Sequence, residues 1–103
     1  MVQLDALLKL LDGPRDNAAL RFAIATELLR LGEPGQAETH LRQALAWQAD
    51  YTAAWKLLGK ALVAAERVHE ALTAYRHGIE VAQAHGDIQA AREMAVFVRR
   101  LEG

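Results

Sequence analysis

Histidine side chains are the first candidates for chemistry in this chain. His69 and Glu70 begin the H-E-x-x-H pattern of zinc proteases, but Thr73 stands where the second histidine is required. Zinc binding needs two imidazoles one helical turn apart on the same face, so the motif fails. His77 and His85 follow His69 at intervals of eight residues. Each step rotates the side chain by about 80° around a helix, so the three rings do not converge.

The rest of the sequence contains no recognisable constellation of catalytic or cofactor-binding residues. The absence of cysteine excludes thiolate chemistry and disulfide bonds, and no glycine-rich loop is available to hold a phosphate group. We therefore expect no catalytic residue, no metal and no cofactor, and we interpret the four histidines as surface residues. An enzyme ranks third among the functional hypotheses, behind a binding module and a structural unit.

Composition narrows the class of protein and the kinds of partner. The 103 residues suffice for one domain with a modest core. The formal net charge of −1 gives no overall attraction to nucleic acid or to an anionic membrane. No apolar run approaches the roughly 18–20 residues that span a bilayer. The N-terminus has acids at Asp5 and Asp12 and lacks the basic start of a signal peptide. We predict a soluble cytoplasmic protein whose partners are neither nucleic acids nor membranes.

Apolar residues recur at helical spacing throughout the chain, and aromatic residues make up only 6% of it, which favours helices over strands. The pattern predicts a first helix over 3–11, helical pairs within 17–50 and 51–85, and a last helix over 87–102. The short connection inside each pair forces its two helices to run antiparallel. We therefore predict one all-α domain over 1–103 with about six helices.

Glycine and proline mark most of the predicted helix ends. Gly32 and Gly86 each end a helix, and Gly13 followed by Pro14 ends the first one, because glycine suits the residue after a helix and proline cannot continue it. The turn near Glu66 lacks a glycine.

The two helical pairs repeat each other when the chain is shifted by 34 residues. The aligned residues are Ala25 with Gly59, Leu28 with Leu62, Ala37 with Ala71, Leu41 with Tyr75, Ala44 with Gly78 and Leu45 with Ile79. Helix backbones approach closely only where side chains are small, and large side chains fill the space around such a crossing. A plain helical bundle with a chance period is the alternative, and the in-register recurrence of small and large residues argues against it.

The second copy resembles the tetratricopeptide repeat family, whose signature is W-x₂-L-G-x₂-Y followed by A-x₃-F. The matching residues are Trp55-x₂-Leu58-Gly59-x₂-Leu62 and Ala71-x₃-Tyr75. In the first copy Arg21 stands at the position of Trp55. The resemblance covers about residues 17–85 and implies a tetratricopeptide-like α-solenoid of two repeats. The last helix of the chain resembles the capping helix of such arrays, and the first helix resembles the remnant of a preceding half-repeat.

Members of this family usually bind peptides or protein surfaces in a concave groove lined by the first helix of each pair, and the resemblance implies the same here. The candidate lining consists of two stripes with i, i+4, i+7 spacing. They are Phe22, Thr26 and Leu29 in the first copy, and Lys56, Lys60 and Val63 in the second. The carboxylate clamp of the chaperone-binding members is not reproduced, because Phe22 and Thr26 stand where a lysine and an asparagine are expected.

Charge in the predicted groove favours an acidic partner. Lys56 and Lys60, with Arg92 or Arg99 of the last helix, form a basic floor suited to an acidic segment or a terminal carboxylate. Alternatively, the two lysines form a solvated helix face.

Three aromatic residues have alternative interpretations of their own. Phe22 either lines the groove or contacts the first helix, whereas Trp55 at its family position is a packing residue. Trp47, which the signature does not explain, either covers the junction to the next pair or marks an exposed patch.

Two functional hypotheses follow from this pattern. The first is a non-enzymatic interaction module that binds a protein or peptide segment in the groove. The second is a structural or docking unit that self-associates through the helix over 3–11, so that the protein is a monomer or a weak homo-oligomer. Packing of that helix within its own chain leaves the groove free, whereas its exchange between two chains makes a dimer.

Overall fold

Residues 2–103, which the computed structural model describes, fold into six helices with no strand among them. The helices are α1 (Val2–Leu8), α2 (Ala18–Arg30), α3 (Pro34–Trp47), α4 (Thr52–Ala64), α5 (Val68–Ala84) and α6 (Ile88–Glu102). From α2 onward each helix packs on the next one, and α4 also contacts α2 and α6. The predicted all-α helical-repeat fold is therefore confirmed.

The first helix is shorter than the predicted range of 3–11. It ends at Leu8, because the N–H groups of Leu10 and Leu11 donate to carbonyls only three residues back, at 3.0 and 3.2 Å. Asp12, with a φ of 63°, adopts the left-handed conformation expected of Gly13. Its N–H donates to the Asp16 carboxylate at 2.9 Å, which holds the turn without a glycine. The helix packs on α2 of the same chain.

Three helices end in the same hydrogen-bonded turn. At the end of α2 the N–H of Glu33 donates to the Leu28 carbonyl at 2.8 Å, and the N–H of Gly32 donates to the Leu29 carbonyl at 3.1 Å. The pattern is a Schellman motif, which requires a left-handed residue. Gly32 supplies it with a φ of 79°. The helices α4 and α5 end with the same pair of bonds.

Glu66 holds the left-handed position at the end of α4, with a φ of 62°. It is the counterpart of Gly32 in the other repeat, 34 residues away. A left-handed backbone costs a residue with a Cβ about 1–2 kcal/mol. The turn forms without glycine, but at a cost in stability that the equivalent turn at Gly32 avoids.

Glycines also set the distances between helices. A Cβ on Gly59 would lie 2.3 Å from Cε1 of Tyr75, whose side chain is only 3% exposed. A Cβ on Gly78 would lie 2.6 Å from Sδ of Met94 and 2.9 Å from Cβ of Trp55. The backbone of α4 therefore touches a ring on α5, and α5 approaches both of its neighbours through Gly78. In the first copy the position of Gly59 is occupied by Ala25, which is fully buried.

We predict that Gly59→Ala lowers the free energy of unfolding by about 1–3 kcal/mol, because the new methyl group forces the Tyr75 ring to move. Gly59→Ala/Tyr75→Leu recreates the Ala25 and Leu41 pair of the first copy. The double variant should be more stable than Gly59→Ala alone by about 1 kcal/mol or more. Urea unfolding of the two single variants and the double variant measures the coupling. Simple addition of the two single effects would contradict the steric explanation.

We predict that Glu66→Gly raises the free energy of unfolding by about 0.5–1 kcal/mol, because relief of the left-handed strain exceeds the entropy cost of glycine. Gly32→Ala is the matched control at the equivalent turn, and it should lower stability by about 1 kcal/mol. Thermal and urea unfolding of both variants provide the measurement. If both substitutions changed the free energy of unfolding in the same direction, the two turns would not be equivalent.

Candidate functional site

Three helices, α2, α4 and α6, lie side by side and form one face of the solenoid. Each contributes a row of residues with i, i+4, i+7 spacing. The rows are Phe22, Thr26 and Leu29 on α2; Lys56, Lys60 and Val63 on α4; and Glu93, Phe97 and Arg100 on α6. We call these nine residues the α2–α4–α6 face. The first two rows are those expected from the sequence, and the third was missed.

The α2 end of this face is uncharged. Phe22 is half-buried and stacks on Tyr51, with the ring centroids 5.2 Å apart. Thr26 is exposed, and its hydroxyl donates to the Phe22 carbonyl at 2.9 Å. Leu29 is half-buried against the core. This end offers partly exposed apolar surface without a charge that could orient a ligand.

The rows on α4 and α6 meet side chain to side chain. Nζ of Lys56 lies 3.6 Å from the Glu93 carboxylate, with both side chains partly exposed. Such a surface ion pair adds about 0–1 kcal/mol to stability, but it balances the charge of Lys56. Nζ of Lys60 lies 5.8 Å from the centroid of the Phe97 ring, within the range of a cation–π contact.

A cavity of about 210 Å³ opens between α4 and α6, beside these contacts. It is lined by Lys60, Val63, Tyr75, Phe97, Arg100 and Leu101. Burial raises the pKa of Tyr75 to about 12, so this ring stays neutral at physiological pH. Within residues 2–103 neither Lys60 nor Arg100 forms an ion pair with a carboxylate. The cavity therefore combines apolar walls with two cations that have no internal counter-ion.

Arg92, the sequence-based candidate on the last helix, lies elsewhere. It lines a different pocket, of about 360 Å³, with residues such as Ile79 of α5 and Ile88 of α6. The row on α6 begins 37 residues after Lys56, at Glu93, and not 34. The greater length of α5, with 17 residues against 14 in its counterpart α3, accounts for part of this offset. The i, i+4, i+7 pattern alone does not select this row, because Arg92, Val96 and Arg99 have the same spacing.

A second charged cluster surrounds Arg21, at the position that Trp55 occupies in the other repeat. The guanidinium donates to both carboxylate oxygens of Asp16, at 2.9 and 2.7 Å. It also lies 5.3 Å from the ring centroid of Trp47, and 3.3 Å from Nδ1 of His40. Trp47 is 51% exposed, and its contact with Arg21 explains its place at the end of α3.

The electrostatics of this cluster indicate a structural role. The hydrogen bond from Arg21, helped by the Asp12 N–H, lowers the pKa of Asp16 to about 2. Burial and the charge of Arg21 lower the pKa of His40. The result is a fixed ion pair beside a neutral imidazole, without a nucleophile for either to activate. The cluster ties the loop before α2 to α2 and α3.

Trp55 itself packs as its family position implies. It is half-buried against the core, and its indole N–H donates to the Ala49 carbonyl at 2.8 Å. Its ring lies 4.3 Å from that of His77, centroid to centroid.

Within residues 2–103, no group of three or more His, Asp or Glu residues is placed to hold a metal ion. None of the helices in this part of the chain is both long and apolar enough to cross a membrane.

Comparison with known proteins gives consistent matches. The profile of the family described as Tetratricopeptide repeat matches residues 28–95, from the end of α2 into α6. A protein of Pseudomonas aeruginosa, named TPR repeat-containing protein, is 40% identical over 101 residues, which are 98% of this chain and 96% of the relative.

Solved structures are similar over most of the chain. The solution structure of a Bordetella parapertussis protein has a TM-score of 0.83 at 36% identity, and the match covers 98% of this chain and 85% of the other. The crystal structure of a tetratricopeptide repeat domain protein from Salinibacter ruber has a TM-score of 0.78 at 26% identity, with 85% and 98% covered.

We predict that the Asp16–Arg21 pair makes stability sensitive to acid. Because folding lowers the pKa of Asp16 from 3.8 to about 2, its contribution is complete above pH about 4 and is lost as the pH falls toward 2. The difference in urea midpoint between wild type and Asp16→Asn should therefore shrink over this range. Asp5→Asn, which changes an exposed carboxylate of α1, is the control. A difference that does not vary with pH would contradict the assigned ion pair.

Proposed function

This chain belongs to the tetratricopeptide repeat family, and we propose that it is a non-enzymatic module that holds a segment of a partner protein on its α2–α4–α6 face. The family is generally one of protein-interaction modules. The observation that carries the proposal is the cavity between α4 and α6, where apolar side chains are left partly exposed beside two cations. Exposed apolar surface rimmed by charge is typical of an interaction site.

Charge on this face favours an acidic segment. Lys56 is balanced by Glu93, whereas Lys60 and Arg100 have no carboxylate partner among residues 2–103. Complementary charge on a ligand would speed its encounter with the face and fix its orientation. The helices that carry these residues are held by the core, so binding requires little ordering of the scaffold. In this proposal the protein acts in the cytoplasm, as the sequence analysis predicts.

Self-association is a second candidate function, favoured by exposed apolar residues at the two ends of the helical array. Ile88 at the start of α6 is 62% exposed, and Leu8 at the end of α1 is 38% exposed. Docking of one end on the other would cover both. Light scattering over a concentration series distinguishes this candidate, since a mass that stays monomeric would contradict it.

We predict that Lys60→Glu/Arg100→Glu loses the protein partner. The immobilised wild type, this variant and a control are incubated with lysate of the source organism, and the captured proteins are quantified by mass spectrometry. The control, Arg92→Glu/Arg99→Glu, reverses two exposed charges on α6 outside the cavity. A true partner should be depleted about tenfold or more by the first variant, which corresponds to about 1.4 kcal/mol, and retained by the control.

The controls make the result interpretable. Circular dichroism and thermal unfolding must first show that both variants fold like the wild type. Equal capture by all three proteins would place the binding site off the α2–α4–α6 face. Capture of nothing by the wild type, at a concentration where the protein is folded, would also count against the proposal.

A further inference from the structure

The contacts between α4 and α6 form three successive steps along the helices. At the first, Lys56 meets Glu93, and at the second, Lys60 lies over the ring of Phe97. At the third, Val63 and Arg100 line the cavity together. Only the first step is closed by an ion pair. Ligand charge is therefore accommodated at the second and third steps, where the cavity lies.

The size of the cavity limits what can enter it. Its volume of about 210 Å³ is below the roughly 300–1,000 Å³ typical of small-molecule and cofactor sites. It suits one large apolar side chain. The walls offer apolar surface to such a side chain, because Val63 is 37% exposed and Phe97 and Leu101 are half-exposed. An inserted side chain would remove this apolar surface from water.

The two exposed cations favour acidic residues beside that side chain. Lys60 and Arg100 both line the cavity and have no carboxylate partner within residues 2–103. An apolar group alone would leave both charges without a counter-ion. A chain segment with carboxylates on either side of its apolar residue would satisfy both cations while the apolar residue fills the cavity.

We propose that the cavity between α4 and α6 binds a single large apolar side chain of the partner, and that Lys60 and Arg100 bind acidic residues on either side of it. The inference rests on the proposed function and specifies the ligand: an internal acidic–apolar–acidic segment. Lys56 has no direct role in this recognition, because its ammonium group is already paired with the Glu93 carboxylate.

The test is an NMR titration of the isotope-labelled 103-residue chain with capped five-residue peptides. The first probe is acetyl-Asp-Asp-Phe-Asp-Asp-amide. One comparison peptide replaces each aspartate with asparagine, and another replaces phenylalanine with alanine. A third is uncharged except for a free carboxylate on its terminal phenylalanine. Binding is measured from the signals of Val63, Phe97 and Leu101.

We expect saturable shifts at these three residues with the first probe, at a Kd on the order of 1 mM given its small size. The asparagine and alanine peptides should bind at least about fivefold more weakly. Lys60→Gln/Arg100→Gln should reduce binding of the first probe to the level of the asparagine peptide. The matched control Arg92→Gln/Arg99→Gln should leave it unchanged.

Several results would overturn the inference. Equal binding of the asparagine peptide would remove the role of charge, and equal binding of the alanine peptide would remove the apolar anchor. Preference for the terminal carboxylate would replace the internal segment with a chain end. Absence of shifts at these residues up to about 10 mM would exclude the site, since a well-matched ligand of this size should bind below that concentration.

Failure of this inference can be separated from failure of the proposed function. A lysate partner that is lost with Lys60→Glu/Arg100→Glu, together with no peptide shifts, would retain the interaction face and reject the specified ligand. Peptide binding in the cavity, together with equal lysate capture by all variants, would retain the ligand chemistry and place the cellular partner elsewhere.

Discussion

The contact between the Gly59 backbone and the Tyr75 ring is the constraint on which the rest of the structure depends. It sets the distance between α4 and α5, since no Cβ fits between them. The same ring lies 5.3 Å from that of Phe97, centroid to centroid, and lines the cavity between α4 and α6. One side chain therefore fills the core crossing and closes the inner end of the candidate site. The packing of the core and the shape of the cavity are coupled at this residue.

The second close approach, at Gly78, fixes where α6 lies. A Cβ on Gly78 would collide with Met94 of α6 and Trp55 of α4, so α5 packs closely against both helices at this residue. Met94 is fully buried, which fixes the rotation of α6 about its axis. Once that rotation is set, Phe97 and Arg100 face the cavity, and Arg92 lines the pocket beside Ile79. The composition of the site is a consequence of how α6 is anchored.

The sequence predicts the fold well because its signals are local. The 34-residue period and the pattern of small and large residues each reflect packing within one helical pair. It predicts less about the site, because that depends on the relation between helices. The exact 34-residue shift takes Lys60 to Met94, which is buried, whereas the structure places Phe97 beside it. The longer α5 accounts for only part of this offset, and the rest depends on how α6 packs. Lys56 illustrates another limit. Its pairing with Glu93 joins two helices that no local pattern connects.

The two repeats differ both at a packing position and on the exposed face. Where Arg21 replaces tryptophan at a packing position, the surroundings supply Asp16, His40 and Trp47 as contacts for the guanidinium. Where Lys60 replaces Thr26 on the α2–α4–α6 face, no core residue has to change, because both side chains are exposed. Substitutions at the exposed positions of this face therefore cost the fold little. A repeat protein can vary the chemistry of such positions while its core is kept, and here the copies differ in charge, with Lys56 and Lys60 on α4 where α2 has Phe22 and Thr26.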